Sequence, residues 1–180
     1  PVNWDTAQTV TVTGVDDDLV DGTITSTITV AVDDANSDDD FDGLDDQTVS
    51  VDTLDDDVAG FTIEETDGST EVDESGSTDI FTIVLDAQPT NDVVVLATAS
   101  NDETEATVSG SITFTSENWD TPQTVTVTGV DDDLVDGDQT YDITISIVDT
   151  ISDDEFDGVA DQSVSSCLLY TSPSPRDGIG

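Results

Sequence analysis

The chain repeats itself. NWDTAQTVTVTGVDDDLVDG begins at Asn3 and NWDTPQTVTVTGVDDDLVDG begins at Asn118, an offset of 115 residues. At that offset residues 3–50 and 118–165 agree at 33 of 48 positions without a gap. A period of this length is too long for one coil of a solenoid and suits a whole β-sandwich of roughly 100 residues. The chain therefore reads as one and a half repeats. Residues 1–57 are the C-terminal half of one repeat with its junction, and residues 58–166 are a nearly complete second repeat.

Within the repeat the apolar residues recur every second position. QTVTVT places Val125 and Val127 on one face and Thr on the other, and YDITISI places Tyr141, Ile143, Ile145 and Ile147 on one face. That period belongs to antiparallel strands with one buried face. No apolar i, i+3, i+4, i+7 stripe occurs, and Thr and Val favour pleated strands. Acidic or Gly turns separate strands expected near 60–64, 79–85, 92–99, 105–108, 111–115, 123–129, 139–148 and 161–165. Trp119, just before a strand, is expected at the sandwich edge. The expected fold is all-β, an antiparallel Ig-like sandwich of two packed sheets per repeat.

The last fourteen residues, CLLYTSPSPRDGIG from Cys167 to Gly180, break the composition. They hold the only Cys, the only Arg and one of the two Tyr. Cys167–Asp177 resembles the translated read-through of a transposase adapter used in preparing sequencing libraries. Residues 167–180 are accordingly expected to be a non-native tail without ordered packing. A chain that opens at Pro1 inside a motif and closes on such a tail is expected to be cut at both ends. The lone Cys then carries no information about redox compartment.

Charge removes several functions. The chain has 44 Asp and Glu against one Arg and no His, a formal net charge of -43. Nothing could neutralise phosphates, so nucleic acid is excluded as a partner. Anionic lipid is repelled, and no apolar run reaches the roughly 18 residues of a membrane helix. Without His or Lys the usual nucleophile–base pairs cannot be assembled. Paired carboxylates could serve a glycosidase, but such an enzyme needs a cleft with aromatic platforms and one raised pKa. Two Trp at equivalent repeat positions, Trp4 and Trp119, and no insertion able to wall a cleft argue against an enzyme.

What remains is carboxylate chemistry. Hard cations such as Ca²⁺ take six to eight oxygen ligands, and crowded carboxylates repel until a divalent ion joins them. Three segments qualify: Asp131, Asp132, Asp133 and Asp136 after a strand, repeated as Asp16, Asp17, Asp18 and Asp21; Asp55, Asp56 and Asp57 at the junction; and Glu74 in the segment ESG. Three successive Asp in extended chain cannot all point one way, so at most two of the post-strand triplet share an ion.

DDDVAGFTIEE at 55–65, ESGSTDIFTIVL at 74–85 and SITFTSENWDTPQTVTVTGVDDDLVDGDQTYDITIS at 111–146 resemble the Calx-β superfamily, and more closely the Calx-β-like repeats of very large bacterial surface proteins. The resemblance covers essentially all of residues 1–166. It departs around Asp102–Val108, where no Gly-Ser-Asp-Tyr segment stands. It implies Ca²⁺ held at one apex by an early acidic residue, the post-strand triplet and the junction triplet. Carried over, the complete repeat would use Glu74, Asp131, Asp132 and Asp136. The half repeat would use Asp16, Asp17, Asp21 and Asp55–Asp57. The complete repeat's own junction triplet would fall at 170–172, where the tail stands. The implied protein is a non-catalytic module of a large extracellular or cell-surface adhesin or matrix protein. Its partners are neighbouring repeats of the same chain, with host or cell-surface ligands bound through other domains.

A separate motif is DDDFDGLDD at 38–46, in which Asp38, Asp40, Asp42, Gly43 and Asp46 follow the start of an EF-hand-type loop. The second copy keeps Asp153, Glu155, Asp157, Gly158 and Asp161. Both copies carry Val at the twelfth position, Val49 and Val164, where a bidentate Glu is required, so the segment reads as an acidic turn between the last two strands. The competing reading of all these clusters is a solvated acidic spacer adapted to high salt.

Overall fold

Period-two runs of Thr with Val or Ile, broken by Gly and acidic turns, fold as expected into strands. In a computed structural model of the protein, residues 3–100, 105–131, 134 and 137–170 are described. Among them there is no α-helix. The chain divides into two compact units, residues 1–56 and 57–180.

The first unit contains β1 (Ile24–Val30) and β2 (Gln47–Thr53), an antiparallel pair with Ile24 opposite Thr53 and Val30 opposite Gln47. The second contains β3 (Phe61–Glu65), β4 (Thr70–Asp73), β5 (Thr78–Leu85), β6 (Val93–Ala99), β7 (Ala106–Val108), β8 (Ser111–Phe114), β9 (Gln123–Gly129), β10 (Gln139–Ile147) and β11 (Gln162–Leu169). These form a five-stranded sheet in the order β4-β11-β10-β6-β8 and a four-stranded sheet in the order β3-β5-β9-β7. All pairings are antiparallel except β4 with β11. Phe81, Ile83, Val95, Phe114, Val127 and Ile143 are fully buried between the sheets. The expected face of β10 is the buried one, from Tyr141 to Ile147.

Eight of these nine strands lie where the alternation puts them; β4 is the addition. It has four residues, TEVD, too few for a period to register, yet Thr70 and Val72 are buried. The chain leaves β3 in one sheet and enters β4 in the other through Asp67 (φ 56) and Gly68 (φ 80). Two successive left-handed residues turn the backbone sharply, and glycine takes the second without a Cβ penalty. Trp119 is half-buried, and its carbonyl accepts the Leu85 amide at 3.1 Å, tying the end of β5.

The tail expectation needs correction for its first residues. β11 runs through 166 to Leu169, pairing Cys167 with Thr140 and Leu168 with Gln139, and Leu168 is 2% exposed. The reason is alternation: Val164, Ser166 and Leu168 share the inward face, so an apolar residue two places beyond Ser166 continues the buried row. Residues 171–180 lie outside the described residues.

The two copies of one sequence behave differently. QTVTVTG at 123–129 is β9, whereas the identical residues 8–14 form no strand. β9 is held between β5 and β7, both supplied by the first half of the repeat. Among the described residues of 1–56 no strand stands in those places. Val125 is 0% exposed, and its counterpart Val10 is 75% exposed. β1 and β2, by contrast, carry their own pairing and keep the register of β10 and β11 residue for residue.

Candidate cation-binding apex

In the second unit a backbone contact seats the turn that holds Glu74 on the end of the strand that leads to Asp131. The turn after β4 is built by Asp73, whose carboxylate accepts from the Ser75 amide at 2.9 Å and from the Ser75 hydroxyl. The Asp73 amide donates to Ser77 Oγ at 2.7 Å, and the Gly76 amide donates to the Asp73 carbonyl at 3.2 Å. The Ser75 hydroxyl is the main cause holding the Asp73 pKa below its ordinary value, against an opposing effect of burial. This closed turn is seated on the end of β9. The Gly129 amide donates to the Ser77 carbonyl at 3.0 Å, and a Cβ at Gly129 would overlap the Asp73 carbonyl oxygen. Glu74 sits in this turn at 6% exposure. Gly129 leads through Val130, bonded to the Glu105 carbonyl at 2.9 Å, into Asp131. Glu74 and the start of the post-strand triplet are thus brought to one end of the sandwich. Asp132 and Asp136 lie outside the described residues.

In the first unit Asp55 closes onto the turn that follows the triplet Asp16, Asp17 and Asp18. Its Oδ2 accepts from the amides of Asp21, at 3.0 Å, and Gly22, at 2.7 Å. Gly22 has φ 70, a conformation suited to glycine. Asp17 Oδ1 accepts the Leu19 amide at 3.1 Å, a local bond inside the loop. Of the expected ligands of the half repeat, Asp55 touches the backbone of Asp21. At the equivalent place in the second unit Tyr170 replaces Asp55 and the polarity reverses: the Tyr170 amide donates to the Asp138 carboxylate at 3.0 Å. Asp16 and Asp56 are exposed, and Asp57 is half-exposed. Among the described residues no three Asp, Glu, Cys or His converge closely enough to hold a metal ion.

The EF-hand-like motif has another use. In both copies it forms a 3₁₀ turn, Asp39–Phe41 and Asp154–Phe156, capped by the preceding Asp. Asp38 accepts the Asp40 amide at 3.1 Å and Asp153 the Glu155 amide at 3.2 Å. In the complete repeat Asp153 also accepts from the Asn91 amide at 2.6 Å and the Thr90 hydroxyl at 2.8 Å, and is 3% exposed. Burial acts to raise its pKa, but these donors outweigh it and leave the carboxyl lowered. Asp157 moves the other way, raised by loss of hydration and by the charges of Asp149, Asp154 and Asp153. Phe156 plugs the core at 0% exposure, while its counterpart Phe41 is 53% exposed. This anchor between the β10–β11 turn and the β5–β6 loop was not legible from spacing, which showed only an acidic run.

The fold is all-β: residues 57–180 hold an Ig-like antiparallel sandwich, and residues 1–56 a two-stranded antiparallel sheet. No family model matches the chain, and none of the curated proteins does. Among solved structures it is similar to the apo form of the Calx CBD1 domain at 14% identity, over 62% of this chain and 98% of that one, with a TM-score of 0.43. It is also similar to CBD12 from CALX1.2 at 14% identity, over 60% of this chain and 43% of that one, with a TM-score of 0.41. Domains 1-6 of the surface layer protein SbsC match at 18% identity, over 84% of this chain but only 17% of theirs, with a TM-score of 0.45.

Proposed function

We propose that this chain is a non-catalytic, calcium-binding β-sandwich repeat module of a large extracellular adhesin or matrix protein. Ca²⁺ joins the post-strand carboxylates to the junction carboxylates of the same repeat and stiffens the connection to the next one. One observation carries the reading: the Asp73–Ser77 turn is seated on Gly129, setting buried Glu74 at the end where the acidic run from Asp131 begins. Carboxylates crowded at one apex repel, and a hard divalent cation relieves that repulsion. The donor chemistry fits Ca²⁺ rather than a softer metal, because carboxylates and carbonyls are available and His is absent. The residues assigned are Glu74, Asp131, Asp132 and Asp136 in the complete repeat. In the half repeat and its junction they are Asp16, Asp17, Asp21, Asp55, Asp56 and Asp57. The Asp55 clasp on Asp21 and Gly22 supports a coupling of junction and loop in which the cation takes the carboxylate's other oxygen.

A second reading is favoured by one observation: no three described carboxylates converge on a point. On that reading the module is an acidic spacer whose surface suits high salt. Calorimetric titration with CaCl₂ and MgCl₂ in high NaCl separates the two. Saturable Ca²⁺ heats that MgCl₂ does not reproduce support the module. Flat traces for both ions support the spacer. Small-angle scattering of two complete repeats, with Ca²⁺ and with chelator, then tests stiffening: an unchanged particle length removes that part of the proposal.

A further inference from the structure

Four Asp–Gly pairs lie within the described residues: Asp21–Gly22, Asp42–Gly43, Asp67–Gly68 and Asp157–Gly158. An aspartyl carboxyl followed by glycine can close on the next amide nitrogen, because glycine has no Cβ to shield it. Closure requires the peptide between the two residues to swing until that nitrogen meets Cγ. What holds the peptide in place therefore sets the reactivity of each pair. Three of the four are held. The Gly22 amide, the nitrogen that would attack, donates to Asp55 Oδ2 at 2.7 Å. Asp157 is right-handed (φ -59, ψ -25), and the Val159 amide spans the pair to the Phe156 carbonyl at 3.1 Å. Phe156 is 0% exposed, so a swing there disturbs the core. Asp42 has the same conformation, and the Leu44 amide spans its pair to the Phe41 carbonyl at 3.2 Å.

Asp67–Gly68 differs. It stands at the crossover from β3 to β4, where Asp67 (φ 56) is the one described non-glycine residue with positive φ and Gly68 (φ 80) follows it. A turn with two left-handed central residues selects Asp–Gly, so the crossover itself calls for this pair. The one backbone bond across the turn, from the Ser69 amide to the Thr66 carbonyl, is 3.5 Å long, beyond the ordinary range. The Gly68 amide donates to no described residue, and both residues are exposed. Leaving the left-handed region also relieves an L residue of a conformation it adopts at a cost. Outside the turn, the Thr70 hydroxyl donates to the Glu65 carboxylate at 2.9 Å and closes the loop independently of Asp67.

We propose that Asp67–Gly68 is a self-modification site, which converts to isoaspartate through a succinimide ahead of the other three pairs, with water as the only co-reactant. The Gly68 nitrogen attacks Asp67 Cγ, and the new N–Cγ bond closes a five-membered ring. The nitrogen's proton and the hydroxyl of the neutral carboxyl leave as water. Water then adds to one of the two ring carbonyls. Breaking the N–Cγ bond restores Asp67. Breaking the bond from the nitrogen to the Asp67 main-chain carbonyl carbon leaves the chain running through Cγ. Nothing is oxidised or reduced, and the net change is an isomerisation. The product lengthens the link between β3 and β4 by one carbon inside the loop that Glu65 and Thr70 close, so the sandwich accommodates it. No metal takes part, so the test is run in chelator and is independent of calcium binding.

The test is prolonged incubation of the full chain in ¹⁸O-water at neutral pH, followed by digestion with pepsin in ordinary water and mass spectrometry. Each passage through the ring leaves one ¹⁸O at its Asp, and fragmentation distinguishes isoaspartate from aspartate. The expected result is label and isoaspartate at Asp67 about tenfold ahead of Asp21, Asp42 and Asp157, the factor set by the turn bonds those pairs must first open. Asp157 is the stringent comparison, because its raised carboxyl pKa favours the neutral form that loses water. In concentrated urea the four pairs should react at similar rates. Asp67→Gly keeps the turn, since glycine takes positive φ freely, and should clear the label from its peptide. Labelling of any of the other three pairs as fast as Asp67 in the folded chain overturns the proposal. So does a lead of Asp67 that persists in urea, which would belong to local sequence alone, or label that remains in the Asp67→Gly peptide.

Discussion

Asp153 and Asn91 are 62 residues apart, yet the Asp153 carboxylate accepts the Asn91 amide at 2.6 Å and locks the β10–β11 turn to the β5–β6 loop. The same oxygen accepts the Thr90 hydroxyl, and the other caps the 3₁₀ turn at Glu155. An acidic motif that resembles the opening of a calcium loop is here a buried fastening. Asp38, its counterpart, keeps the cap but stays exposed.

Asp153→Ala should destabilise the complete repeat by about 2–3 kcal/mol, because it removes a cap and leaves two donors without their charged partner. Asp38→Ala should cost at most about 1 kcal/mol, a cap alone. The pH dependence follows from the direction of the shift. A lowered carboxyl pKa stabilises the fold above the ordinary value of 3.8, and this contribution is lost as pH falls through the folded pKa. Asp157, raised, opposes folding when ionised, and acid relieves it. Urea melts of wild type and Asp153→Asn between neutral pH and the acid range should converge at the acid end. Curves that stay parallel would deny Asp153 its role.

Gly129 and Gly14 occupy equivalent positions with different neighbours. A Cβ at Gly129 would overlap the Asp73 carbonyl oxygen, whereas one at Gly14 meets only Thr53 Cγ2 at 3.6 Å. Gly129→Ala should therefore cost at least about 2 kcal/mol and loosen the turn that carries Glu74. Gly14→Ala should fall within about 0.5 kcal/mol of wild type. Equal effects in denaturant melts would mean that the Asp73–Ser77 turn is not seated on β9.

Leu168 tests where the domain ends. Leu168→Ala should destabilise the complete repeat by about 2–4 kcal/mol, as for other buried leucines. Truncation after Ser166 should do at least as much. A truncated chain with an unchanged melting temperature would return the strand to the boundary first expected at 166.

The alternation of Thr with Val and Ile made eight strands of the complete repeat and their buried faces legible, because period two is a local property. β4 was not legible, since four residues carry no period. The fate of residues 8–14 was not legible either. Their sequence equals that of β9, which pairs with β5 and β7, so the strand depends on partners that the seven residues themselves do not encode. For the apex, composition located the acidic segments, and only the fold shows that the turn holding Glu74 rests on Gly129, two residues before Asp131. The anchoring use of Asp153 depends on Thr90 and Asn91, distant residues that no spacing rule connects to it.

The most direct measurement of the central claim is the melting temperature of the chain in high NaCl, with millimolar Ca²⁺ and with chelator, for wild type and for Glu74→Gln combined with Asp131→Asn. Ca²⁺ at about 100 times its dissociation constant adds about 2.7 kcal/mol to folded stability. The account predicts a clear rise with Ca²⁺ in wild type, little rise with Mg²⁺, and loss of the Ca²⁺ effect on the unfolding of residues 57–180 in the double variant while its melting in chelator is unchanged or higher. Superimposable wild-type curves in Ca²⁺ and chelator would contradict it and leave the acidic clusters as a solvated surface.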